Sequence, residues 1–136
     1  MGPTSPRHGS VPLEQAALEA SQQVEEGLRR AQAYFGLPIY LTETSAGLSG
    51  EARAAYATAI GDMVDRLLAD GVPLVGVNWW PLFEAVQWSY RENPSRPLAD
   101  FITPGAWNNG LYDLDASLSR VETPAAAAFR AVIARG

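Results

Sequence analysis

The sequence predicts an α/β fold built on a parallel sheet. Segments with helical spacing alternate with strand-type segments over residues 11–79. The two strand-type segments are continuous apolar runs, the pattern of strands buried on both faces in a parallel sheet. The joints between them are short and marked by Gly36 and Gly71, so the intervening helix reads as the crossover of a βαβ unit.

Residues 1–10 read as a flexible lead-in rich in Gly, Pro and Ser. A helix follows, with Ser10 as N-cap and Pro12 in the first turn, where amide hydrogens lack partners anyway. Leu13, Ala17, Ala20, Val24, Leu28, Ala31 and Phe35 step by three and four and form its apolar face. Gly36 ends it as the left-handed C′ residue. Leu37–Thr42 is the first strand, ending at Glu43, with a loop over residues 44–50. The second helix spans about Glu51–Asp70, capped by Ser49 and terminated by Gly71. Its apolar positions are Ala52, Ala55, Tyr56, Ala59, Ile60, Met63, Leu67 and Leu68. Val72–Trp79 is the second strand. Periodicity then dissolves over residues 81–109, a stretch long enough to read as functional and too aromatic to read as disordered. A short strand over residues 110–114 and a last helix from Pro124 to about Ala134, capped by Thr123, complete the pattern.

Composition removes several classes of function. The 136 residues contain no cysteine, which excludes disulfides, thiolate metal sites and a cysteine nucleophile. The one histidine, His8, argues against a zinc site or a Ser-His-Asp triad. Net charge is −5, and all ten basic residues are scattered arginines, so the basic footprint of a nucleic-acid binder is missing. No apolar run is long enough to span a membrane. Met1–Ser10 is polar and lacks a signal-peptide core, and the expected location is cytoplasmic.

In parallel α/β folds functional groups gather at the C-terminal ends of strands. Two places meet that condition. Glu43 follows the first apolar run directly; alternatively it is a strand-end acid facing solvent or paired with an arginine. Asn78-Trp79-Trp80-Pro81, followed by Glu84, Gln87 and Trp88, is the second place. Indole faces stack on sugar C–H faces while polar side chains bind hydroxyls; alternatively the tryptophans fill a core.

Those residues carry a family resemblance. Residues 38–45, PIYLTETS, resemble the strand bearing the nucleophilic glutamate in family 1 glycoside hydrolases, P-x-Y-I-T-E-N-G. Residues 80–88, WPLFEAVQW, resemble that family's W-S-L-L-D-N-F-E-W. One helix and one strand separate the two segments, as in the family, and residues 110–120, GLYDLDASLSR, resemble its short closing strand and following arginine. The resemblance implies that residues 11–136 are the C-terminal part of a clan A (β/α)8 barrel, with its seventh and eighth strands. It implies a retaining β-glycosidase acting on a carbohydrate β-glycoside. Glu43 matches the nucleophile, Trp80 the indole beneath the sugar, and Gln87 and Trp88 the Glu-Trp pair that binds outer hydroxyls. Thr44 and Ser45 replace the family's Asn-Gly, Glu84 and Ala85 its Asp-Asn, and Gln87 a glutamate. The residue after Trp80 is Pro81, and the family's cis peptide at this place implies a cis Trp80–Pro81 bond.

Retaining glycosidases use two carboxyl groups about 5–5.5 Å apart. The family's acid/base lies in an Asn-Glu-Pro motif on the fourth barrel strand, which this sequence lacks; Glu92-Asn93-Pro94 has those residue types in another order. A full barrel takes about 250 residues. The expectation is therefore a fragment carrying the nucleophile without its acid/base, partnered by an absent N-terminal part of the barrel, with open sheet edges and one uncovered face. Two carboxylates suffice for the chemistry, so neither a metal nor an organic cofactor is implied. A carbohydrate-binding or pseudoenzyme module, and a structural α/β domain sharing only the layout, are the alternatives.

Overall fold

The first helix, α1, spans Leu13–Phe35. The computed structural model describes residues 12–47, 49–83, 87–102 and 109–136, and of Trp88 the backbone only. Ser10 lies outside the described residues; Pro12 occupies the flanking position before the helix. Gly36 closes α1 in the left-handed conformation (φ 66°), its N–H donating to the Gln32 carbonyl. The expected apolar face is only partly buried. Ala17 and Leu28 are covered, whereas Leu13 and Phe35 at the two ends of the helix stay exposed.

Strand β1 (Ile39–Thr44) leads to helix α2 (Gly50–Ala69), whose cap Ser49 accepts from the Ala52 N–H at 3.3 Å. Strand β2 is Leu74–Trp79, and it pairs with β1 in parallel. The βαβ unit expected from the alternation is present. After β2 come two short 3₁₀ turns, Trp88–Glu92 and Leu98–Phe101. Strands β3 (Tyr112–Leu114) and β4 (Arg120–Glu122) form an antiparallel hairpin. Helix α3, Pro124–Ile133, starts with proline at its first position, and the Thr123 hydroxyl accepts from Ala125 N–H at 3.2 Å.

Helix α2 packs against both α1 and α3. Its Tyr56, Ala57, Ile60, Met63 and Leu67 join Ala17, Leu28, Leu74, Trp79, Leu111, Ala125 and Ala126 in one core. Each large apolar side chain buried this way contributes about 1.5–3 kcal/mol. Gly61 permits the close approach of α3: a β-carbon there would fall 2.5 Å from Val132 Cγ2. The buried Arg53 of α2, 2% exposed, ties the helix layer to the hairpin. Its guanidinium donates to the Gly110 carbonyl at 2.5 Å and to Asp113 Oδ1 at 3.1 Å from two nitrogens.

The strands are not buried on both faces as their apolar runs predicted. Ile39, Leu41, Leu74, Val77 and Trp79 face the helices, while Tyr40 is more than half exposed on the opposite face, over Gly76. A continuous apolar run needs a covering layer on each side, and the described residues supply only one. They form two two-stranded sheets and close no barrel.

Candidate active site at the strand ends

The pairing register explains how Glu43 escapes the core. Ile39 pairs with Leu74, Tyr40 with Gly76, Leu41 with Val77 and Thr44 with Trp79. One extra residue, Val75, is therefore inserted in β2, and one extra residue between Leu41 and Thr44 in β1. The two shifts cancel. Strict alternation would send Glu43 to the helix-facing side with Ile39 and Leu41. The bulge instead places Thr42 and Glu43 together opposite Asn78, both exposed, and returns Thr44 to the core. The Thr44 hydroxyl hydrogen-bonds Tyr56 OH at 2.8 Å on the buried side.

Trp80 follows β2 at the same end of the sheet. Its N–H donates to the carbonyl of Thr44 at 3.1 Å, beside Glu43. Parallel pairing therefore brings Glu43 and Trp80 to the C-terminal edges of adjacent strands. Among the described residues no arginine forms an ion pair with Glu43, and the residue is exposed.

The adjacent tryptophans have different environments. Trp79 is 6% exposed, donates its indole N–H to the Asn109 carbonyl at 2.9 Å, and meets Tyr56 and Phe129 edge-on. It is a core residue with a satisfied polar group. Trp80 is 36% exposed. The Trp80–Pro81 peptide is cis, as expected.

Gln87 is half-buried just before the first 3₁₀ turn, its N–H bonded to the Phe101 carbonyl at 3.0 Å. That bond ties its backbone to the second 3₁₀ turn. Trp88 opens that turn, and its side chain lies outside the described residues, as does Glu84. Glu92-Asn93-Pro94 closes that turn, with Asn93 Nδ2 donating to the Ser89 carbonyl at 2.9 Å. Sequence reasoning named Asn78 within the second candidate place but gave it no role there. Its side-chain amide reaches across to the Thr42 carbonyl at 3.2 Å, at the bulge. A polar residue one place before a strand's end was the only signal for it. Among the described residues no group of three or more acidic or histidine side chains is placed to hold a metal. Among the described residues no helix is long and apolar enough to cross a membrane.

No protein-family profile matches the sequence, and no curated protein matches it. Solved structures do. The GH1 β-glucosidase of Exiguobacterium antarcticum B7 superposes with a TM-score of 0.63 at 19% identity, covering 98% of this chain and 29% of that one. A β-glucosidase from Exiguobacterium marinum gives 0.60 at 20% identity, covering 98% of this chain and 30% of the other. The likeness assigns the fold: an α/β unit corresponding to part of a GH1 barrel. The chain spans about 30% of the length of these neighbours.

Proposed function

We propose that this chain is the C-terminal part of a retaining β-glycosidase, carrying the nucleophile and one wall of the sugar site. The observation that carries this reading is the placement of Glu43 and Trp80 at one end of adjacent parallel strands, with Glu43 turned outward by the bulge. Glu43 attacks the anomeric carbon, forming a carboxyl-ester bond as the glycosidic C–O bond breaks. A second carboxyl group, on the part of the barrel that precedes this segment, gives its proton to the departing oxygen. It then takes a proton from the water that releases the sugar. Trp80 stacks beneath the sugar ring, and Gln87 and Trp88 bind its outer hydroxyls.

The test uses 2,4-dinitrophenyl 2-deoxy-2-fluoro-β-glucoside on the complete protein. Intact mass should rise by one fluoroglycosyl group, and Glu43→Gln should abolish the increase. The isolated 136-residue chain should hydrolyse no aryl β-glucoside above background. Robust hydrolysis by the isolated chain, or labelling that persists in Glu43→Gln, overturns the assignment. Sugar binding without labelling in the complete protein would instead establish a carbohydrate-binding module.

A further inference from the structure

We propose that Asn78 is a positioning residue that holds the β1 bulge and thereby aims Glu43; this rests on the nucleophile reading above. The register leaves Asn78 as the single β2 residue opposite the pair Thr42 and Glu43. A bulge in a parallel pair leaves one residue outside the ladder, so its direction needs another constraint. Asn78 Nδ2 donates to the Thr42 carbonyl at 3.2 Å, closing the gap beside that extra residue. Immediately beyond it, the Trp80 N–H to Thr44 carbonyl bond and the Thr44–Tyr56 hydroxyl pair fix the other side. Glu43 is thus carried on a peptide segment pinned before it by Asn78 and after it by Thr44. Relaxing the bulge would return the strand to simple alternation, in which Glu43 faces the helices. Asn78 itself faces the exposed side, since its neighbours Val77 and Trp79 pack on the core.

The role is that of an N–H donor acting through another residue, and it makes a specific demand on kinetics. A displacement of about 1 Å at a reacting group costs on the order of 100-fold in rate. In the complete protein, with 2,4-dinitrophenyl β-glucoside, Asn78→Ala should lower kcat about 10- to 100-fold and leave KM within about threefold. Asn78→Asp keeps the shape but loses the donor, so it should fall equally; it also serves if Asn78→Ala does not fold. The deciding readout is a Glu43→Gly background supplied with sodium azide, where azide forms the bond to the anomeric carbon as dinitrophenolate leaves. That rescued rate does not depend on aiming a carboxylate, so adding Asn78→Asp should leave it unchanged. An equal loss in the azide-rescued enzyme, or an unchanged kcat in Asn78→Asp, overturns the positioning role. Full turnover by Glu43→Gly without azide instead removes the nucleophile reading, and with it this one.

Discussion

The two faces of the β1–β2 sheet are made of similar residues and meet different fates. One face lies under α1, α2 and α3 and is closed by Leu74, Val77 and Trp79; the other presents Tyr40 to the outside, with Trp80 exposed just past its end. Chemical character alone does not separate them. Two one-residue register shifts do, because each moves a side chain across the sheet without changing the sequence around it. The helix-covered face supplies stability, and the proposed function draws on the exposed Glu43 and Trp80 at the other's strand ends.

The adjacent tryptophans give the largest contrast. Trp79→Ala leaves a cavity between Tyr56 and Phe129 and should cost about 3–5 kcal/mol in denaturant unfolding. Trp80→Ala, one residue on, should cost below about 1 kcal/mol and reduce sugar binding instead. Equal losses of stability would erase the distinction between the faces.

Next in size is Arg53, the charged residue inside the covered layer. Truncation to Ala strands the Gly110 carbonyl and leaves Asp113 without its cation. Asp113 is 39% exposed, so water recovers part of the loss, and the expected cost is about 2–3 kcal/mol. Arg53→Lys should not restore it, because an ammonium does not reproduce the forked contact with Asp113 and Gly110. A thermal melt of the lysine variant matching the parent would contradict that account.

Much of this architecture was legible in the sequence because it rests on local rules. The caps at Ser49, Thr123 and Gly36 and the spacing of Ile60, Met63 and Leu67 are set by neighbours within a turn or two. The strand positions of Glu43 and Trp80 were legible for the same reason. The bulge was not: Thr42 and Glu43 look like any strand pair, and the extra residue is fixed only by the partner strand. Strand β4 escaped notice because Val121 is its one apolar residue, too little for a period. The burial of Arg53 was equally hidden, since helical spacing marks an arginine as surface unless its distant partners, Gly110 and Asp113, are known. The expectation of strands buried on both faces failed on a related point. An apolar run records that a strand is suited to burial, and the covering layer must come from elsewhere in the chain.

The unpaired edge of β2 makes its own demand. Val75 is 65% exposed and lies at the β2 register shift. Unpaired strand edges beside exposed apolar residues promote pairing between chains. Sedimentation of the isolated chain should show mass rising with concentration, and Val75→Lys should shift the distribution toward monomer. A parent that stays monomeric at every concentration would mean that the β2 edge is adequately solvated as it stands.

The smallest expected effect belongs to the covered side, on its outer rim between α1 and α2. Burial pushes the Glu25 carboxyl up, but hydrogen bonds from Arg66 and then Arg29, with the charges of both, outweigh it and hold the group below its usual value of 4.5. The bonds are short, at 2.7 Å from each guanidinium, and Arg29 also reaches Asp70 at 2.6 Å. With the folded value depressed, the unfolded chain binds the proton more readily, so the unfolded state gains as pH falls. The contribution is therefore complete above about pH 5 and disappears as pH drops through the lowered folded value. Both arginines are more than one-third exposed, which keeps the effect under about 1 kcal/mol. Glu25→Gln should lower stability at pH 7 by that amount and make the acid limb of a stability–pH curve shallower. Raising salt to 1 M should shrink the difference between the two proteins, since exposed guanidinium charges are screened. A Glu25→Gln curve parallel to the parent below pH 5 would show that the carboxylate is not what joins α1 to α2 at this rim.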